Sequence, residues 1–326
     1  MSKSLSFAPI LLSEQELPGM REEIEQFYSQ KVKLHSFMHD GLEITAAELN
    51  PQSHEYPPLV IVPGRGENRH KYAELLFSLN RLDLRVIICL SRGQGDSQRL
   101  LADHQKCHIN RFDELRFDVA FMLSELKVQD FYLLAFSMGA LISLDLIKNG
   151  PVRPLKAALI APYLWPVVKY SRRTLKLAAY VLGTLPFTRY RYTPRGREYR
   201  RVPFEENYHS HCRERYSAYH DYYAEHPQLT TGSPTYGFIR EATRKQEELM
   251  GGHFELGLPV YVQLAGADKV VSSPAAAHFF EQHSRDSFPP RVTEVPGCYH
   301  DVLNEIDEYR NPMLESALRF LYEGEE

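Results

Sequence analysis

The five residues Ala135-Phe136-Ser137-Met138-Gly139 constrain this chain more than any other stretch. They join an apolar run at 131–135 (Phe-Tyr-Leu-Leu-Ala) to a helical pattern over 140–148, with no linker between them. A strand that becomes a helix within two residues forces the turning residue into a strained backbone and admits only small side chains close by. Ala135 and Gly139, two before and two after Ser137, are small. Asn149-Gly150 then closes the helix.

Runs of the same kind recur along the chain. Residues 58–62 (Pro-Leu-Val-Ile-Val) end in the turn signal Pro63-Gly64-Arg65-Gly66, and 85–90 end at Ser91-Arg-Gly-Gln-Gly95. Residues 157–161 and 259–265 continue the set, and 291–295 reads as a last short strand. Short runs that are apolar on both faces suit buried parallel strands. Helical patterns fall between them, with Tyr72, Leu75, Leu76 and Leu79 near the 3.6-residue period and further helices over 113–126 and 313–322. The alternation predicts an α/β fold, a mostly parallel central sheet with helices on both faces. It stops near residue 163, where tyrosine and arginine take over, and resumes at 259. The expected organisation is a core of residues 1–162 and 254–326, with 163–253 as an inserted helical cap.

Bulk properties narrow the function classes. A formal net charge of −4 offers no whole-molecule reason to expect nucleic acid. Cys89, Cys107, Cys212 and Cys298 are scattered, as reduced thiols of a cytoplasmic protein would be. The apolar patch at the N-terminus is too short for a signal-peptide core, and no apolar stretch reaches the length of a membrane span.

The turn at Ser137 has the form of a nucleophile elbow. It aims the N-terminus of the following helix at the serine, so the Met138 N–H is placed to stabilise an oxyanion. A second donor is expected from the loop after an earlier strand, and the Arg65 N–H is the candidate. Serine at such a junction also serves as a helix N-cap, so its partners matter. A serine hydroxyl needs a base, and in folds of this kind the order along the chain is Ser, acid, His. Asp268 follows the run at 259–265, and His300 follows the one at 291–295. Three placements in that order predict a Ser137–His300–Asp268 triad, with Asp301 as an alternative orienter of the histidine. Activity should fall below about pH 6.5, where a free imidazole takes up a proton. Gly64 and Phe136 are the expected substrate-contacting positions.

Other signals are discounted. Arg92-Gly93-Gln94-Gly95-Asp96-Ser97-Gln98 lacks the third glycine of a dinucleotide fingerprint and reads as a shaped loop. His209, His211, Cys212, His220 and His226 match no standard zinc spacing. No cofactor and no metal are therefore expected. Glu67 and Asn68 read either as ordering the loop before them or as a helix start. Within the cap, twelve basic residues from Lys169 to Arg215 face four acidic ones and are interleaved with Tyr170, Tyr180, Phe187, Tyr190, Tyr192, Tyr199 and Phe204. The bland alternative is a solvated helical face. Basic and aromatic residues together, with the amphipathic stretch 175–182, suit an anionic membrane surface or a phosphate-bearing headgroup.

Several stretches resemble the bacterial lysophospholipases of the α/β-hydrolase superfamily and the related monoacylglycerol lipases. They are Pro63-Gly-Arg-Gly-Glu-Asn-Arg-His-Lys-Tyr-Ala-Glu-Leu75, Arg92-Gly-Gln-Gly-Asp-Ser-Gln-Arg-Leu-Leu-Ala-Asp103, Asn110-Arg-Phe112, the serine turn itself and Gly232-Ser-Pro-Thr-Tyr236. The resemblance runs from about residue 55 to the C-terminus. It implies the same triad, Arg65 and Met138 as oxyanion donors, and release of a fatty acid from a lysophospholipid. Phe136 and Pro63 stand where the lipases often have histidine, which bears on substrate preference. A monoacylglycerol lipase, a general carboxylesterase and a non-catalytic binding protein of the same fold are the other readings. The expected setting is the cytoplasm, with peripheral contact at the inner membrane through the basic cap.

Overall fold

The computed structural model describes residues 5–323, so the first four and last three residues assigned to the core lie outside the described residues. The strands are β1 (Lys33–His39), β2 (Leu42–Leu49), β3 (Leu59–Val62), β4 (Val86–Leu90), β5 (Tyr132–Phe136), β6 (Lys156–Ile160), β7 (Val260–Ala265) and β8 (Arg291–Val295). They form one sheet in the order β1-β2-β4-β3-β5-β6-β7-β8. The six strands from β3 to β8 are parallel, and β2 runs antiparallel to both β1 and β4. The helices are α1 (Leu17–Lys31), α2 (Ala73–Asn80), α3 (Asp113–Glu125), α4 (Met138–Asn149), α5 (Arg172–Thr184), α6 (Arg213–Glu225), α7 (Tyr236–Met250), α8 (Ser273–Glu281) and α9 (Asp307–Tyr322).

The wholly apolar runs explain the layering. Successive side chains of a strand point to opposite faces. Val60, Val62, Leu133 and Ala135 face one core cluster with residues of α3, α4 and α8. Leu59, Ile61, Leu134 and Phe136 face the other, with residues of α1, α2 and α9. Each such valine, leucine, isoleucine or phenylalanine, fully buried, contributes about 1.5–3 kcal/mol. A sheet covered on both faces is the arrangement expected of the α/β fold. The expected strands at 58–62, 85–90, 131–135, 157–161, 259–265 and 291–295 correspond to β3 through β8.

The chain from β3 goes outward to β4 on one side, and from β5 it proceeds to β6 on the other. Ligands of open α/β sheets bind outside the carboxyl ends of the strands at such a reversal. The loops that follow β3 and β5 carry Arg65 and Ser137.

Between β6 and β7 the described chain forms α5, α6, α7 and short 3-10 turns, and it takes part in three isolated bridges. Its attachment to the core uses buried cations. Arg215 of α6 contacts both Glu74 oxygens, with Nε 2.9 Å from Oε2 and Nη2 3.0 Å from Oε1, and lies 2.9 Å from Asp307. Lys245 of α7 lies 2.6 Å from Asp113 and 2.9 Å from Asp145. Phe238, Ala242 and Leu249 of α7 add apolar contact with the core.

Helix α1 and the β1–β2 hairpin precede the first strand read from the sequence. Strand β1 lies at the sheet edge with no residue buried, and β2 contains Thr45 and Glu48. Neither presents the continuous apolar run that marks a central strand.

Candidate active site

Ser137 lies at the junction of β5 and α4 with φ 51° and ψ −113°. A non-glycine residue in that region carries a cost of about 1–3 kcal/mol and persists only where its surroundings hold it. They do so here: the Ser137 N–H donates to the Ile160 carbonyl at 2.9 Å, and its carbonyl accepts from Ala140 at 3.0 Å and Tyr163 at 3.1 Å. Gly139 explains the missing side chain two residues on. A Cβ there would stand 1.9 Å from the Val62 carbonyl oxygen, so only glycine lets α4 approach β3 this closely.

The three residues predicted from chain order meet in space. Asp268 follows β7, and its Oδ1 accepts from the N–H groups of Val270 and Val271 at 2.7 and 2.9 Å. Its Oδ2 lies 2.7 Å from His300 Nδ1. A carboxylate there fixes the proton on Nδ1 and leaves Nε2 as an acceptor. Nε2 is 3.0 Å from Ser137 Oγ, so the hydroxyl donates to it. The serine is 7% exposed and the histidine 5%, which keeps the pair dry yet reachable.

Asp301, the alternative orienter read from the sequence, turns to another partner. Its carboxylate lies 2.7 Å from the Lys71 ammonium, while Asp268 holds the histidine. Burial opposes the charge on Lys71, but Asp301 and Glu67 more than offset it and hold the ammonium above the ordinary lysine range. Burial likewise opposes the charge on Asp301, and Lys71 holds that carboxyl below its usual range.

The loop after β3 is braced on both sides of Arg65. The Gly64 N–H donates to Glu67 at 2.6 Å, and the Gly66 N–H donates to Gln94 at 2.6 Å. The Arg65 N–H between them has no acceptor among the described residues, and neither has the Met138 N–H at the start of α4. Two unsatisfied donors beside one hydroxyl are what an oxyanion requires. Glu67 also accepts from the Tyr72 hydroxyl at 2.7 Å, and Asn68 caps the next turn through the Lys71 N–H at 3.1 Å. Both sequence readings of Glu67-Asn68 therefore hold. Gln94 belongs to the segment discounted as a nucleotide motif, and it acts as a shaped support. Its partner is 28 residues away, so nothing local in the sequence signals the contact.

A pocket of about 350 Å³ opens over the serine. Its floor includes Arg65, Phe136, Ser137, His300 and Lys71, and its opposite wall comes from the insertion, with Arg197, Arg200, Tyr199, Tyr219, Tyr223 and Thr231. Phe136 thus lines the space above the serine. Gly64 packs against the Phe136 ring, where a Cβ would stand 2.9 Å from its edge. The insertion also grips the loop after β3. The Tyr223 hydroxyl donates to the Gly66 carbonyl at 2.7 Å, and the Arg65 guanidinium donates to the Gly232 carbonyl at 2.9 Å. Gly232 sits where the insertion crosses the core, and a Cβ would stand 2.6 Å from the Arg197 carbonyl and 2.9 Å from that of Gln105. The histidines considered for metal have other partners. His211 Nδ1 is 2.8 Å from Glu305, and His220 is bonded to the Tyr199 hydroxyl. Burial pushes His220 down to about 3, and burial with His300 nearby pushes His209 down to about 4, so both are neutral.

Comparison with known proteins places this geometry. Residues 56–307 match the profile of the family described as Serine aminopeptidase, S33. Lysophospholipase L2 of Escherichia coli K12 is 31% identical over 300 residues, covering 86% of this chain and 84% of that protein. Among solved structures, a soluble variant of the monoglyceride lipase of Saccharomyces cerevisiae superposes with a TM-score of 0.68 at 14% identity, covering 89% of this chain and 95% of that one. The monoacylglycerol lipase of Paleococcus ferrophilus gives 0.66 at 17% identity, covering 85% and 98%. Likeness at that identity speaks for the fold, and the family match and the bacterial relative speak for descent. The chain belongs to the serine aminopeptidase S33 family of α/β hydrolases.

Proposed function

We propose that the protein hydrolyses carboxylic esters through an acyl-enzyme on Ser137, and that its substrate is a lysophospholipid. The observation that carries the chemistry is the unbroken line from Asp268 through His300 to Ser137 beside two free N–H donors. Ser137 Oγ attacks the ester carbonyl carbon and its proton passes to His300 Nε2. The carbonyl oxygen takes up the negative charge between the N–H groups of Arg65 and Met138. Collapse breaks the bond to the glycerol oxygen, which leaves with the proton from His300. A water molecule, deprotonated by His300, then attacks the acyl-enzyme and releases the fatty acid. Asp268 orients the imidazole and stabilises its charged form.

The family description names a peptidase, and the same machinery acts on either carbonyl. The lipid ester is favoured because the E. coli relative, aligned over 86% of this chain, is a lysophospholipase. Residues 163–253 are proposed as the cap over that site, and 5–162 with 254–323 as the described part of the core. Ser137→Ala should lose at least about 10⁴-fold in turnover on lysophosphatidyl substrates and all labelling by a fluorophosphonate probe, while its circular dichroism stays unchanged. Retained turnover overturns the assignment. A wild-type protein that neither labels nor turns over is a binding protein of this fold, and equal rates on monoacylglycerols and short esters mark a general esterase.

Contact with an anionic membrane is proposed through α5. Among the described residues no helix is long and apolar enough to cross a membrane. Leu177, Tyr180 and Val181 of α5 and Leu185 and Phe187 just after it are exposed, Phe187 by 85%, with Arg172 and Arg173 at the start of the helix and Lys169 just before it. An apolar face flanked by cations suits a lipid interface. Liposome binding should rise with anionic lipid and fall with salt, and charge-independent binding refutes this contact.

A further inference from the structure

Most arginines of the insertion have partners, while the side chains of Arg173, Arg191, Arg195, Arg197 and Arg200 have none among the described residues. Arg201 pairs with Asp221, Arg213 with Glu205, and Arg215 with Glu74 and Asp307. Arg240 and Arg244 pair with Glu241, and Arg172 lies over the Trp165 ring. Arg197 and Arg200 make no side-chain hydrogen bond or ion pair among the described residues, and they are the two arginines of the insertion that line the pocket over Ser137. Both are exposed, and free guanidiniums lining the same pocket as the proposed nucleophile are placed for a ligand.

A second feature of the same wall points the same way. The Thr231 hydroxyl is buried, with the residue 8% exposed, and has no hydrogen-bond partner. It stands against the oxyanion loop, since a Cβ on Gly66 would be 3.5 Å from Thr231 Cβ. A buried hydroxyl left unpaired costs about 1–3 kcal/mol, so an acceptor arriving with a ligand recovers that loss. The adjacent Ser233 Oγ accepts from the Arg197 N–H at 3.0 Å and keeps its own proton to donate. Donors therefore outnumber acceptors between the loop after β3 and the segment 197–200. The opposing charge is Glu198, one carboxylate facing two guanidiniums. Glu67 and Asp301, the other acids in the pocket, are taken up by Lys71.

A group that is all acceptor, carries negative charge and lies a few bonds from an ester carbonyl fits this wall. A phosphate has those properties, and planar guanidiniums bind its oxygens in pairs. We infer that the space between the oxyanion loop and residues 197–200 is a phosphate subsite for the headgroup of the substrate, with Arg197, Arg200 and the Thr231 hydroxyl as its donors. The assignment rests on the proposed ester chemistry at Ser137. It makes the headgroup, rather than the acyl chain, the part of the lipid that the insertion reads.

The test compares wild type with Arg197→Gln/Arg200→Gln and, as a surface-charge control, Arg191→Gln/Arg195→Gln, whose arginines lie outside the pocket lining. Substrates are lysophosphatidylcholine below its micelle-forming concentration, a monoacylglycerol of the same chain length and p-nitrophenyl butyrate. The pocket variant should lose roughly 10- to 100-fold in kcat/KM on the lysophospholipid, as expected for charge-assisted bonds, and stay within about twofold on the other two. The control should match wild type on all three. Equal losses on all substrates, or no loss on the lysophospholipid, overturn the subsite. Calorimetry on Ser137→Ala supplies a readout free of catalysis, with glycerophosphocholine and inorganic phosphate as separate titrants. Glycerophosphocholine should bind, and adding the two glutamines should abolish binding. Binding of inorganic phosphate with none of glycerophosphocholine overturns the headgroup assignment. Binding of glycerophosphocholine by a wild-type protein that cleaves no ester leaves the subsite standing and removes the proposed reaction instead.

Discussion

Leu133, Leu134 and Ala135 beneath the serine have no exposed surface, and their neighbours are apolar on both faces of the sheet. Arg215, Lys245 and His220 of the insertion are also buried, yet carboxylates, carbonyls and a phenol hold them. The strand ends that carry Ser137 and Asp268 are thus fixed by close packing. The insertion is fixed by a few buried charges on top of a thinner apolar contact. Burial of an ion is costly and a broken pair leaves an uncompensated charge, so such a fastening is sensitive to single changes. The difference suits the proposed division of labour, in which the sheet carries the chemistry and the cap selects what reaches it.

The sharpest way to break that comparison is at Arg215. Its guanidinium also donates to the Glu305 carbonyl at 2.7 Å and the Leu12 carbonyl at 3.2 Å, so one side chain ties α6 to three parts of the core. Arg215→Met removes the charge and keeps the bulk. Glu74 retains Arg310 at 2.9 Å, while Asp307 loses its guanidinium partner. A loss of about 3 kcal/mol is expected by denaturant titration, with new proteolytic cleavage confined to the insertion. Cleavage spread evenly over sheet and insertion would show that the two regions unfold as one.

Lys71 sits where the two regions meet and sharpens the contrast. It bridges Glu67, which braces the oxyanion loop, to Asp301, which follows the base, and its ammonium lies 4.9 Å from the Tyr219 ring of α6. It is a positioning residue, acting through the groups it holds. In Lys71→Met two carboxylates face each other without a cation, and one must take up a proton. The oxyanion loop then loses its brace. The kcat should fall about 10- to 100-fold with KM within about twofold, and fluorophosphonate labelling should slow in parallel. A rise in KM with kcat intact would move Lys71 from the chemistry to binding.

These two residues also mark what sequence reading reaches. The proposed triad was legible because each member follows a strand read from the sequence, apolar before Ser137 and Asp268 and mixed before His300, and strand ends converge when strands are parallel. Ser137, Asp268 and His300 needed no knowledge of distant contacts. Arg215 and Glu74 are separated by 141 residues, and Arg65 and Gly232 by 167. In the sequence the first is one more cation in a basic stretch. Asp301, adjacent to the histidine, drew attention as an orienter, and only the approach of Lys71 shows its partner. The hairpin β1–β2 escaped for another reason: β1 is an edge strand with no buried residue, and β2, though largely buried, breaks its apolar run with Thr45 and Glu48.

Acid supplies the mildest test. His108, His209 and His220 lie along the insertion and its contacts with the core, and burial is the main cause that pushes them down to about 4, 4 and 3. His108 also faces Arg189, and His209 faces His300 and Lys71 against Asp301 and Asp268. In the unfolded chain each histidine protonates near pH 6.5. Below that value the unfolded or opened state binds more protons than the folded one, so stability falls as pH drops from about 6.5 toward 4. The loss should concentrate in the insertion, because the strands beneath Ser137 hold no such group. Hydrogen exchange, corrected for its intrinsic pH dependence, should quicken in residues 208–223 between pH 7 and 5 and stay unchanged in α4. Equal quickening in α4 would mean that acid loosens the sheet as readily as the insertion, and the contrast between packed strands and charged fastenings would not survive.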